Sequence, residues 1–453
     1  MTLHRKRNKN LGLAELIAIA LGGMVGGGIF TILGISVSMI GNLTPIAIII
    51  GGIIAALAAY SYIKLGLFYK DEGATYSFFK RTYPGSPFAA SVIGWYVVFG
   101  YISTLALYAY TFSSYAISST SFAEDIWVRK GVAWAVIAVF TIINVLSVKG
   151  MGKLEDLMVY TKLLILTIIS GVLISNGNTT FEVFIDNFAK DVESSSILSI
   201  LIVSSITFVA YEGFQLVINA VNEMSNPDKN IPRAIYSAIV LAILIYVVIS
   251  AGALFAIPTE DIIKNKEYAL AAGAGNAIGT LGTNLVILGA ILATSSAISG
   301  TVFGSSRQVA AIASDGYLPK LLSIHKKQIP VNAIIAMSLT ASIMILIGGL
   351  ELILEFGSIT FLLVSLLMAI ANHKIRARTN SSSVITIASI IGLGFGGVLI
   401  LYYEFSRKWN EMLIIVLLYI VLLFGAWFYA KLKHKKLIFK KENSVPKQKN
   451  PQK

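Results

Sequence analysis

The sequence predicts an all-α membrane protein of twelve transmembrane helices, built as two five-helix sets followed by two further helices. Three observations predict it. Of 453 residues, 56% are hydrophobic and 13% charged, with a mean hydropathy of +0.77, whereas a soluble domain of ordinary composition carries about 25% charge. The apolar runs are long and continuous rather than alternating, which selects spanning helices over barrel strands, because lipid offers no partner to unpaired backbone. Lysine and arginine also fall unevenly between the loops.

Taken in order, the expected spans lie at 13–40, 44–68, 86–118, 131–148, 157–175, 195–221, 233–257, 283–313, 331–349, 354–372, 383–403 and 411–430. Residues 1–12 then form a cytoplasmic N-terminal segment and 13–175 the first five-helix set. The second set is 194–372, helices eleven and twelve are 383–430, and 431–453 is a basic cytoplasmic tail. On this division 28 lysines and arginines fall on one side, seven on the other, and Lys162 alone stays at membrane depth. That bias places both termini in the cytoplasm of a multi-pass plasma-membrane protein. An odd number of helices per set makes the second set enter from the opposite side, as an inverted repeat requires.

Composition also excludes several classes. Without cysteine there is neither a disulfide framework nor a thiolate metal site. His4, His325, His373 and His434 are scattered through terminal and loop segments, so no metal centre, cofactor or histidine catalysis is expected. The net charge of +13 is concentrated at the chain ends, with Arg5, Lys6, Arg7 and Lys9 at one and nine lysines at the other. Such clusters read as orientation signals and contacts to the lipid bilayer rather than to nucleic acid. The first apolar run is longer than a signal-peptide core and lacks a cleavage site. Asn178-Thr179-Thr180 is a formal glycosylation sequon without further support.

Two spans are interrupted by residues a membrane helix should avoid. The first contains Gly22-Gly23-Met24-Val25-Gly26-Gly27-Gly28-Ile29-Phe30, and the sixth contains Phe208-Val209-Ala210-Tyr211-Glu212-Gly213-Phe214-Gln215. Each opens its own five-helix set, and paired breaks of this kind point to a transporter's binding site near the bilayer midplane. Each glycine of the first break weakens a helix by about 1 kcal/mol relative to alanine. The freed N–H groups of Gly26, Gly27, Gly28 and Ile29, at the start of a second half-helix, favour an anion. Close helix packing is the alternative use of such glycines.

At the second break, carbonyls around Ala210, Tyr211 and Gly213 offer acceptors for an ammonium group, and Phe208 either closes over a ligand or packs in the core. Glu212 has three readings: counter-charge to a cationic substrate group, carrier of a coupling proton, or partner of a basic residue. A carboxylate at membrane depth marks function by default. Gln215, just past the break, is a weaker contact candidate. Lys162 either snorkels to the interface or, desolvated, exchanges a proton near neutrality.

These residues resemble a known family. Gly26-Gly27-Gly28-Ile29-Phe30 is similar to the first-helix break of the amino acid–polyamine–organocation transporters, and Ala210-Tyr211-Glu212-Gly213-Phe214 to their sixth-helix break. Glu223, Asn226-Pro227 and Ile231-Pro232-Arg233-Ala234-Ile235, together with Ser306-Arg307 and Ser314-Asp315-Gly316-Tyr317-Leu318-Pro319, resemble its two cytoplasmic loop patterns. The resemblance implies the LeuT-type 5+5 inverted repeat, with an amino acid or related amine as substrate. Val159-Tyr160-Thr161-Lys162-Leu163-Leu164-Ile165-Leu166 resembles the fifth helix of proton-coupled, broad-specificity prokaryotic permeases. There a lysine replaces a sodium ion, which implies a cation-site-like role for Gly23, Ser295 and Ser296 and a proton as coupling ion. Glu212 departs from the neutral residue of many members.

The expected function is therefore proton-coupled uptake of an amino acid by alternating access, with exchange of cationic amino acids or polyamines as the nearest rival. A membrane enzyme would need paired catalytic groups at depth, and only Glu212 and Lys162 stand there, in different segments. A non-transporting amino acid receptor would often add a long soluble extension.

Overall fold

The computed structural model describes residues 11–71, 74–146, 151–175, 180–265, 267–326 and 329–444. The basic cluster before Leu11, Asn178 and Thr179 of the sequon, and the tail beyond Ser444 lie outside them. In chain order the helices are α1 (Leu13–Met24), α2 (Gly28–Ile40), α3 (Thr44–Tyr69), α4 (Ala74–Thr82), α5 (Pro87–Ile117), α6 (Ile126–Leu146) and α7 (Met151–Ser175). Then come α8 (Phe181–Ser194), α9 (Ile197–Thr207), α10 (Leu216–Asn219), α11 (Pro227–Ala256), α12 (Thr259–Lys264) and α13 (Ala269–Ile278). The last six are α14 (Thr280–Ser314), α15 (Val331–Ile347), α16 (Leu350–Lys374), α17 (Arg376–Thr379), α18 (Ser383–Arg407) and α19 (Trp409–Ser444). No sheet forms among the described residues, only isolated bridges between Leu11 and Met224 and between Lys326 and Ile329.

Among the described residues ten stretches are long and apolar enough to cross a membrane, and α1 and α15 are shorter apolar helices. The spans divide into centre and periphery. In their most apolar windows α5 and α16 are 78% buried, whereas α6 is 22% and α19 17% buried. A helix that stays apolar while exposing most of its surface is solvated by lipid rather than by water.

Several boundaries move for local reasons. The fourth span begins at Ile126 rather than 131, because Asp125 Oδ1 accepts from the Trp127 and Val128 amides at 2.8 and 3.1 Å and caps the extra turn. The seventh begins at Pro227, whose fixed φ suits a first helical position, after Asn226 in the left-handed region at φ +44°. The fifth begins at Met151 rather than 157.

Helices α4, α8, α12 and α13 occupy stretches the hydropathy pattern reads as connections. α8 is tied down at its far end: Asp191 Oδ2 accepts from the Asn42 amide at 2.7 Å and from Asn42 Nδ2 at 2.8 Å. α4 anchors the second loop pattern, with Tyr76 Oη donating to Asp315 Oδ2 at 2.8 Å and Lys80 Nζ 2.5 Å from the same oxygen. Lys433 Nζ, on α19, donates to the Asp315 carbonyl at 2.5 Å.

Candidate functional site

The first expected span is broken where the glycines fall. α1 stops at Met24, Gly26 N–H folds back onto the Met24 carbonyl at 2.9 Å, and α2 starts at Gly28. The first regular bond of the new helix runs from the Thr31 amide to the Gly27 carbonyl at 3.2 Å. The amides of Gly27, Gly28, Ile29 and Phe30 consequently find no acceptor among the described residues. These are the orphan donors of a helix start, and residues 24–30 are all buried. Buried donors without partners, backed by a helix dipole, suit a negative group.

The second break is longer. α9 ends at Thr207, a single 3₁₀ turn runs over Phe208–Tyr211, Glu212 is extended at φ −67° and ψ 136°, and helix resumes only at Leu216. Gly213 sits at φ +127°, a conformation side chains rarely tolerate. Gln215 braces the turn: its Oε1 accepts from the Gly213 amide at 3.0 Å and its Nε2 donates to Glu212 Oε2 at 2.9 Å. The other oxygen, Glu212 Oε1, is buried without a partner, and Glu212 forms no ion pair among the described residues. The reading in which it pairs with a basic residue is therefore not found. Phe208 and Tyr211 are 0% and 1% exposed, and Tyr211 Oη donates to the Ile48 carbonyl at 2.7 Å.

The two breaks touch. A Cβ on Gly213 would lie 2.5 Å from the Gly23 carbonyl carbon, and one on Gly23 would lie 3.0 Å from Gly213 Cα. Gly28 backs onto Ala210 in the same way, at 2.9 Å from its Cβ. Gly26 faces Ala297 and the Tyr108 ring, and Gly27 faces Tyr108 and Thr111. Close packing thus accounts for the bare Cα of each of these glycines, while the amides of Gly27 and Gly28 remain without acceptors among the described residues.

Lys162 is 0% exposed, and its Nζ donates to the Gly22 carbonyl at 2.9 Å. It lies eleven residues after the start of α7 at Met151 and turns inward to α1 instead of snorkelling. Gly22 is the neighbour of Gly23, whose own surface is taken by Gly213 and Leu216. Ser295 and Ser296 are buried on α14 beside Ala297, and the Ser296 hydroxyl has no hydrogen-bond partner.

Three tyrosines escape sequence reasoning. Tyr246, on α11, places its hydroxyl 2.8 Å from the Met24 carbonyl and 2.9 Å from that of Ala210, so one proton is shared across both breaks. Tyr108 packs on Gly26 and Gly27, and Tyr101 lies beside Gln215 of the second break. Nothing in their spacing along α5 and α11 marks them, since only tertiary packing brings them to the glycines.

The comparisons identify the family. The family model described as "Amino acid permease" matches residues 11–429. The Inner membrane transport protein YbaT of Escherichia coli is 29% identical over 389 residues, 85% of this chain and 88% of that protein. An uncharacterized protein, MJ0609 of Methanocaldococcus jannaschii, is 28% identical over 400 residues, 88% of this chain and 90% of its own. The human Large neutral amino acids transporter small subunit 2 is 26% identical over 365 residues, 78% of this chain and 67% of that protein. The chain is a multi-pass membrane protein rather than an enzyme, and it belongs to the amino acid permease family, within the amino acid–polyamine–organocation superfamily.

Proposed function

We propose that this permease takes up an amino acid by alternating access, coupled to protons, in a twelve-span 5+5 inverted repeat. In this reading residues 13–175 and 194–372 are the two halves, 383–430 are the appended helices, and both termini face the cytoplasm of the plasma membrane. Counting α1 with α2, α9 with α10, and α15 brings the helices to twelve. The substrate carboxylate sits on the amides of Gly27, Gly28 and Ile29, beside Gly26, whose own amide is held by the Met24 carbonyl. Its ammonium group takes the carbonyls between Phe208 and Gly213, with Glu212 as counter-charge. Phe208 and Tyr211 close the site, and Lys162, with Gly23, Ser295 and Ser296 around it, supplies the charge of the coupling cation.

One observation carries the reading: orphan donors lie at one break, an orphan acceptor lies at the other, and the two breaks touch through backbone at Gly23 and Gly213. That is the polarity of a zwitterion. Proton coupling draws its support from Lys162, a lysine held away from water on the carbonyl of the break it would have to release. A rival reading, exchange of cationic amino acids or polyamines, is favoured by the unpartnered Glu212 Oε1.

Proteoliposomes without internal substrate separate them. Uptake driven by an inward proton gradient is expected for the wild type, and Lys162→Ala should remove that stimulation while leaving substrate binding measurable. Uptake that requires internal substrate would favour the exchanger, and an unchanged gradient response in Lys162→Ala would remove the coupling role.

A further inference from the structure

Four carboxylates that lie apart in the sequence converge where α16 begins, α18 ends and α19 begins. Glu351 and Glu355 stand four apart on the first turns of α16, so they share one face. Glu404 comes from the last turn of α18, Glu411 from the first turn of α19, and Lys408 from the link between them. Lys408 Nζ lies 2.6 Å from Glu351 Oε2, 2.7 Å from Glu355 Oε1 and 3.9 Å from Glu411 Oε2. One ammonium thus meets three carboxylates, and Glu404 stands beside them without contacting it.

The ammonium leaves much of the cluster unsatisfied. Glu404 is 0% and Glu355 1% exposed, yet both oxygens of Glu404, Oε2 of Glu355 and Oε2 of Glu411 are buried with no N–H or hydroxyl donor, and Glu404 has only the neighbouring Glu355 carboxyl within hydrogen-bond reach. Buried carboxylate oxygens in this condition are costly unless a positive charge or proton meets them. Ligand oxygens of Glu355, Glu404 and Glu411 lie within 4.8 Å of one another. Oxygens sharing a calcium ion at 2.3–2.6 Å can be up to about 5.2 Å apart, so this spacing admits one, and calcium tolerates irregular oxygen shells better than magnesium does. A surface recess lined by Glu267, Gly349, Leu350, Glu351 and Glu411 leads to this point. All-oxygen donors suit a hard cation.

We propose that Glu355, Glu404 and Glu411 form a binding site for a divalent cation of the calcium class, with Lys408 as the resident counter-charge. The cation ties the ends of α16, α18 and α19 together, and water entering by the recess completes its shell. The site is independent of the transport reading, since none of its residues belongs to either break.

Calcium titration of the purified full-length protein in detergent, at constant ionic strength and followed by melting temperature, tests this. A ligand of the folded state raises that temperature by mass action. A saturable rise is expected with calcium and a weaker one with magnesium, and Glu404→Gln should lower apparent calcium affinity at least tenfold. Because a change at fully buried Glu404 risks misfolding, Glu411→Gln, whose side chain is 33% exposed, provides the second variant with the same expectation. A wild type that shows no shift up to about 10 mM calcium, an order above the weakest affinities of such sites, would overturn the proposal. So would variants that titrate like the wild type. Glutamine variants that gain stability, beside a calcium-insensitive wild type, would assign the cluster to a shared proton and overturn it equally.

Discussion

The two breaks solve the same problem in opposite ways. The first is short and made of glycine, and it leaves donors over: four amides at the start of α2 without acceptors. The second spreads over a 3₁₀ turn, an extended residue and a glycine at φ +127°, and it leaves an acceptor over, Glu212 Oε1. A glycine run can only expose backbone. A run holding Glu212 and Gln215 braces itself with side chains and keeps one oxygen in reserve. Put face to face, the two breaks make a donor end and an acceptor end, and neither alone would distinguish an amino acid from a simple acid or amine.

The contact that joins them is the place to break the comparison. Gly213→Ala should have the largest effect, because a Cβ there meets the Gly23 backbone at 2.5 Å in a positive-φ conformation. Backbone strain of this kind costs about 1–3 kcal/mol before any clash, so a marked loss of thermal stability and near-complete loss of uptake are expected. Gly85→Ala, with nothing within 4 Å, should behave as wild type. Equal behaviour of the two variants would mean that the breaks do not depend on touching.

A smaller change sharpens the acceptor end. Glu212→Gln can keep the bond to Gln215 but loses the charge, so competition by cationic amino acids should weaken about tenfold, or about 1.4 kcal/mol, relative to neutral ones. Uptake assays with both competitors at several pH values provide the comparison. Unchanged selectivity and pH dependence would make the residue a structural brace.

How much of this the sequence could reveal depended on whether the signal was local. Glycines and a mid-span carboxylate interrupt hydropathy where they stand, so the positions of both breaks and of Glu212 were legible. Segment ends were less so: the Asp125 cap and the Pro227 start add turns that apolarity does not register. Helices α4, α8 and α12 were read as connections because their polar residues lower the hydropathy, and α13 because ten residues are too few to span. Tyr108 and Tyr246 reach the glycines only through packing between distant helices. Glu355 and Glu404 sit at span edges in the sequence, and their full enclosure appears only once α16, α18 and α19 assemble.

The most direct test of the donor-and-acceptor account is ligand stabilisation of the wild-type protein. An amino acid that raises the melting temperature should be compared with its carboxamide, which lacks the anion, and with its deaminated acid, which lacks the cation. The account predicts that removing either group abolishes most of the stabilisation. Undiminished stabilisation by the carboxamide would contradict an anion site at Gly26, Gly27 and Gly28, and the same result with the deaminated acid would contradict an ammonium site at the second break.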